Sequence, residues 1–414
     1  MSRDKKNEVK VMVAGHLCLD ISPKFPVSDA MKMGEIFAPG RLTNVDDAVL
    51  SVGGAVHNTG LSLAKFGTEV ILNGKVGDDA FSHIIRQLVG EQRARSFKSV
   101  DDQKTSYTIV LAPPGIDRFV LHHPATNDTF GPEDIDYGLA EECAIFHFGY
   151  PPLMKRMYEN EGLELADIFR KVKNLGVVTS LDMAMPDPTS GSGQADWITI
   201  LKNTLPSVDI FMPSIEEIAF MVDRPLFKLR KEQAGDNDPV HAYMPEDFTS
   251  ISGHLLSMGA KVVVIKCGVR GLYLRTSSME NMSQMLPAFP MNMDAWSGRE
   301  IWSGAFKSDH FQSALGAGDA TVAGFLNGML KSYSPEDTLR IACAAGWQNV
   351  QAMDALKGIK DWTTTVEMIH DKERLCHPLI TESSNWTLST NGEIYYGPLD
   401  SLTRIDQLDE PNIN

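Results

Sequence analysis

The chain is poor in cysteine. Cys18, Cys143, Cys267, Cys343 and Cys376 are five among 414 residues, far apart and never in a CxxC pair. An odd, dispersed set supports neither a disulfide scaffold nor a tetrahedral zinc site, so reduced thiols and a cytoplasmic location are expected. No run of about 18 apolar residues occurs, so no membrane-spanning helix is expected. The opening MSRDKKNEVK is charged and has no apolar core of a secretory leader. Positive charge is short too: 38 Lys+Arg face 54 Asp+Glu, a net charge of −16. That balance argues against nucleic-acid and anionic-membrane partners, though a local phosphate pocket remains compatible with it. The histidines lack metal-ligand spacing. What is present is a 43% hydrophobic composition, enough for a packed core.

Apolar runs alternate with helical patterns. Residues 9–14, 70–73, 144–148, 177–182, 210–212 and 262–267 read as strands. Residues 55–66, 79–89, 162–174, 195–204, 214–222 and 245–258 read as helices. Three helix starts carry Pro-Glu-Asp, at Pro132, Pro245 and Pro335, where proline suits the first turn and acids suit the dipole. Strand–helix–strand repetition with continuously apolar strands predicts an α/β fold: a central, mainly parallel sheet flanked by helices on both faces. Two stretches break the rhythm. Residues 24–52 show turn residues and period-2 fragments, and 105–123 read as two strands around Pro113-Pro114-Gly115. Residues 186–196 and 277–312 read as insertions, and Asn391-Gly392 marks a hairpin. The expected division is one α/β domain over 1–375, with β insertions at about 17–52 and 105–124, and a C-terminal extension over 376–414.

Four segments carry chemistry. Leu315-Gly-Ala-Gly-Asp-Ala320 opens a helical run to Leu330. Small residues at a helix start leave N–H groups open to an anion. A carboxylate beside a phosphate site repels its ligand, and gains a purpose if it takes a proton from a hydroxyl nucleophile. The competing reading is a turn with Asp319 as a helix cap. Ser51-Val-Gly-Gly-Ala-Val-His-Asn58 also opens a helix, with Asn58 able to bond sugar-like hydroxyls. Gly15-His-Leu-Cys-Leu-Asp20 follows the first strand, where ligands of parallel sheets gather. Pro213-Ser-Ile-Glu-Glu217 follows another strand; its acids suit Mg²⁺ through water, or a helix cap.

Together these segments resemble the ribokinase-like (PfkB) carbohydrate kinases. The resemblance rests on Gly15 and Asp20, Gly53-Gly54 with Asn58, Gly67, Lys75-Val-Gly-Asp-Asp79, Arg118, Pro213 to Glu217, Lys266-Cys-Gly-Val-Arg-Gly271 and Gly316-Ala-Gly-Asp319, in order over residues 9–355. It implies a ribokinase-like fold in which the two extra β-stretches form a small lid. It implies an ATP- and Mg²⁺-dependent kinase acting on a hydroxyl of a small sugar. Asp319 is then the base, and the N–H groups of Gly316, Ala317 and Gly318 form the anion hole. Asp20, Gly54, Asn58 and Arg118 hold the sugar, Glu217 organises Mg²⁺, and Lys266, Gly268, Gly271 and Asn349 lie on the nucleotide side. Lid strands of this family often pair between subunits, which implies a homodimer.

The chain departs from the family pattern in three places. Ser313-Ala314-Leu315 stand where Asp-Thr usually precede the glycine turn, Ser214 replaces an Asn, and Val56-His57 are bulky where small residues are usual. These replacements motivate a rival reading as a catalytically degenerate sugar-binding member. A nucleoside kinase is a second rival. A dinucleotide-binding oxidoreductase fits the α/β rhythm but lacks GxGxxG after the first strand. Lone candidates are His122 or His123, of which one at most faces a ligand because strand neighbours point to opposite faces. His147 is a candidate pocket liner, Tyr150 reads as core or as a stacking residue, and Asp182 as metal support or a loop cap.

Overall fold

The computed structural model describes residues 9–26, 39–113, 119–285, 291–308, 310–370 and 385–402. The strands in chain order are β1 (Lys10–Gly15), β2 (Cys18–Pro23), β3 (Ala48–Gly53), β4 (Glu69–Asn73), β5 (Lys75–Gly77), β6 (Lys98–Val100), β7 (Tyr107–Leu111), β8 (Phe119–His123), β9 (Ile145–Gly149), β10 (Val178–Asp182), β11 (Ile210–Phe211), β12 (Val262–Lys266), β13 (Leu272–Thr276), β14 (Glu300–Ser303), β15 (Thr387–Leu388) and β16 (Ile394–Tyr396). The main sheet has ten strands in the order β15-β16-β14-β13-β12-β11-β10-β9-β1-β4. From β4 to β12 every pairing is parallel, and beyond β12 every pairing is antiparallel.

Alternation along each strand divides the core in two. Val11, Val13, Val262 and Val264 face one side, against helices Ala55–Lys65, Ala317–Leu330 and Pro335–Asn349. Met12, Ala14, Val263 and Ile265 face the other, against helices Leu163–Asn174, Trp197–Thr204 and Pro245–Ser257. Strands buried on both faces read as continuous apolar runs, which is why sequence located them. No helix of the described residues is long and apolar enough to cross a membrane.

A second sheet, ordered β3-β2-β7-β8, stands on the carboxyl ends of the main strands. It contains the extra β-structure expected from 24–52 and 105–123. The Pro114-Gly115 part of the turn between β7 and β8 and Arg118 fall outside the described residues.

Two stretches read as peripheral supply strands of the main sheet. Residues 277–312 contain β14, whose Ile301 and Trp302 are buried on opposite faces. The tail forms the antiparallel pair β15–β16 around Asn391-Gly392, and β16 hydrogen-bonds β14. Trp386 packs on Trp302 at 6.0 Å between centroids. Buried Arg299 is held by Asp400 at 3.0 Å and Glu336 at 2.5 Å, and Glu300 accepts the Leu399 N–H at 2.8 Å. Asp400→Ala leaves that guanidinium with Glu336 and the Ala295 carbonyl but removes its buried carboxylate, so a loss of about 3 kcal/mol in unfolding free energy is expected by chemical denaturation. A midpoint equal to wild type would show that the tail does not brace the sheet.

Candidate active site

The parallel topology gathers the carboxyl ends of β1, β9, β10, β11 and β12 along one edge. The residues at those ends are His16, Tyr150, Asp182, Ser214 and Lys266. Helices Ala55–Lys65 and Ala317–Leu330 bring their first turns to the same edge.

Asp319 lies in the first turn of the second of these helices and is buried. Its Oδ1 accepts Thr59 Oγ1 at 2.9 Å, and its Oδ2 accepts Asn58 Nδ2 at 3.2 Å and the Tyr150 hydroxyl at 2.7 Å. Asn58 in turn meets His57 Nδ1 through Oδ1 at 3.0 Å, so His57 buttresses Asn58 from within the protein. Burial pushes the Asp319 carboxyl above the usual carboxylate range, against the pull of its three donors and of Lys266. A raised carboxylate is a better match for a proton-accepting task near neutral pH.

The turn before Asp319 is left-handed at Gly316, with φ 74°. A Cβ there would stand 2.7 Å from Ala355 Cβ, so only glycine fits. The Ala317 N–H is already donated to Ala314 at 3.2 Å, which removes it from the expected trio of free amides. Among the described residues no hydrogen bond engages the N–H of Gly316 or Gly318. A Cβ on Gly318 would meet Lys266 Cε at 3.6 Å and Nζ at 3.9 Å, so the ammonium hangs over the turn. Lys266 is bonded to Asp182 and, at 2.7 Å, to the Met212 carbonyl. Burial pulls its ammonium down, but Asp182, Glu217 and Asp319 outweigh burial and hold it above the usual lysine range. Burial pushes Asp182 up, and Lys266 opposes that shift.

Beside this turn opens a cleft of about 880 Å³. Lys266, Gly318, Glu217 and Tyr150 line one end, and Phe306, Phe311, Trp347 and Val350 supply apolar walls. Gly268 and Gly271 also line it.

The opposite flank of Asp319 faces the lid. Gly54 precedes helix Ala55–Lys65 with φ 93°, and a Cβ there would stand 2.3 Å from the His16 carbonyl. A Cβ on Gly53 would stand 2.2 Å from Asp20 Oδ2, so Asp20 lies against the same turn. Burial pushes the Asp20 carboxyl up, with Cys18 and Thr108 opposing it. His16 is buried, and neither ring nitrogen has a hydrogen-bond partner among the described residues. Burial keeps it neutral, pushed down to about 3. Its ring lies 5.3 Å from His122 of lid strand β8 and 6.1 Å from Tyr150. His123 points the other way, onto Tyr107.

Several expected residues sit differently. Asn349 is fully buried, its amide given to the Ala355 carbonyl, and the cleft face of that helix is carried by Cys343, Gly346 and Trp347. It thus braces the segment that packs on Gly316. Glu217 caps its own helix, accepting the Ser214 N–H at 2.6 Å through Oε2, yet still lines the cleft. His147 is buried inside the sheet against Ser180, 3.0 Å away, and lines no part of the cleft. Sequence reasoning gave no role to Thr59 and favoured core packing for Tyr150. The position of Tyr150 immediately after a parallel strand was the available signal.

A family model for pfkB family carbohydrate kinases matches residues 10–362. A sugar kinase of Archaeoglobus fulgidus, itself uncharacterized, is 23% identical over 300 residues, covering 72% of this chain and 98% of the relative. The structure of Arabidopsis thaliana ribokinase complexed with ribose and ATP aligns with a TM-score of 0.63 at 19% identity, over 87% of this chain and 98% of that one. An E. coli neighbour in complex with ATP and Mg²⁺ aligns with a TM-score of 0.59 at 18% identity, over 87% of this chain and 99% of that one. The structural likenesses show that the fold is ribokinase-like. With its model matched over most of the length, this chain belongs to the pfkB family of carbohydrate kinases.

Proposed function

We propose that the protein transfers the γ-phosphoryl group of ATP to a hydroxyl of a small sugar, with Asp319 as the base. One observation carries this reading: a buried carboxylate stands in the first turn of a helix, between an open amide turn facing the large cleft and the Gly54–Asn58 turn facing the lid. Asp319 takes the acceptor proton as the oxygen attacks phosphorus. The Gly316 and Gly318 N–H groups and the Lys266 ammonium stabilise charge on the transferring group. Asp20, Gly54 and Asn58 hold the sugar together with Arg118, and Gly268 and Gly271 approach the nucleotide. Among the described residues only Oε2 of Glu217 accepts a hydrogen bond, which suits a water-mediated hold on Mg²⁺; the ion, when bound, offsets phosphate charge. Closure of the lid excludes water, the competing acceptor.

ADP release is measured with ATP and Mg²⁺ over a panel of pentoses, hexoses and nucleosides. At least one small sugar is expected to raise the rate far above the acceptor-free level. A rise with nucleosides alone would make the protein a nucleoside kinase, and no rise with any acceptor would reject catalysis in favour of binding.

We also infer a homodimer through the lid, supported by the exposed Val49, Leu50, Val120 and Leu121 of its strands. A sedimentation mass of one chain would remove that inference.

A further inference from the structure

Asp319 has no open side. It is 2% exposed, and three donors cover its oxygens. The three donors take three of its roughly four acceptor positions, and at 2% exposure an acceptor hydroxyl gains a place on this carboxylate most readily where one of those donors leaves. Thr59 and Asn58 belong to a helix packed against the sheet and the Ala317–Leu330 helix, and Asn58 is further held by His57. Tyr150 is different. It sits on a loop, borders the cleft, and is the one donor of the three that is a hydroxyl outside that helix. Its backbone is left-handed, with φ 67° and ψ 44°, directly before Pro151. A non-glycine residue there is strained, and the following proline disfavours helical conformations further.

We propose that the Tyr150 phenol is a displaceable stand-in for the acceptor hydroxyl, capping Asp319 while the sugar site is empty and yielding that position to the sugar. The inference rests on the reading of Asp319 as the base. A capped base cannot activate water. Without the cap, Asp319 takes a proton from water, the water oxygen bonds the γ-phosphorus, the bond to the bridging oxygen breaks, and ADP leaves with phosphate. The cap also has a route to the lid, because His122 of β8 touches His16, and His16 touches Tyr150.

The test is ATP hydrolysis with Mg²⁺ and no sugar. Tyr150→Phe keeps the ring and removes the donor; Tyr150→Gly removes the side chain and accepts the left-handed backbone. Both are expected to hydrolyse ATP at least about tenfold faster than wild type, a fraction of what a positioned base supplies. A structural defect lowers activity and does not give this gain. Adding Asp319→Asn to Tyr150→Phe is expected to cancel the gain. Unchanged or slower hydrolysis in both single variants overturns the stand-in role. Hydrolysis that stays fast in the double variant overturns Asp319 as the base, so the two failures are distinguishable.

Discussion

Asp319→Asn is expected to lower sugar phosphorylation by about 10²–10⁴-fold while leaving the protein folded. The carboxylate is replaced by an isosteric amide in the same turn. Its donors include two hydroxyls, of Thr59 and Tyr150, which rotate to suit the new group. Because burial holds the wild-type carboxyl above its ordinary range, the folded state carries a cost for ionising it near neutral pH. The sign follows: the folded form binds this proton more tightly than the unfolded form, and stability falls as pH rises through the raised value. The amide removes that cost, so a melting temperature at neutral pH equal to or above that of wild type is expected. Rates near wild type in the variant would reject the base. A large fall in melting temperature would instead mean that Asp319 is a structural cap.

Lys266→Met is expected to damage both stability and turnover. The side chain bridges Asp182, the Met212 carbonyl and the space over Gly318. Removing the cation strands a buried carboxylate, with an expected loss of about 3–5 kcal/mol. Asp182 then keeps the Met183 N–H at 2.8 Å, while burial and the neighbouring carboxylates Glu217 and Asp319 push its pKa up. The deficit is therefore small at acid pH, where Asp182 is protonated folded and unfolded, and grows as pH rises through the raised value. Asp182→Asn added to Lys266→Met is expected to restore most of the stability and abolish its pH dependence. It is not expected to restore turnover: kcat/KM for ATP stays about 10²–10³-fold down, because the charge over the amide turn is missing. Recovery of turnover in the double variant would show that Lys266 serves only to neutralise Asp182.

The ribokinase-like fold was legible because its central strands are buried on both faces and its helices begin and end on strong signals. The helix expected over 79–89 is Ala80–Val89, with Asp79 as its cap and Gly90 closing it. β14 was lost inside a Met- and Ser-rich stretch, since a four-residue strand leaves too little periodicity to stand out. The glycine turn before Asp319 was visible, but not that Ala314 folds back to take the Ala317 amide. Helix Pro335–Asn349 was visible as a late helix, but not its rotation, which buries Asn349 and shows Trp347 to the cleft.

Sequence alone determined the alternation of strands and helices, the glycines that permit close turns, and the presence of a carboxylate at a helix start. These are local properties, written in neighbouring residues. Tertiary structure alone decided who meets Asp319. Tyr150 is 169 residues away and Thr59 260, and both arrive because β9 lies beside β1 and two helices pack on one face of the sheet. Hydrogen bonds form only within a few tenths of an ångström of their optimum, a precision set by packing across the whole domain and absent from any short stretch of chain.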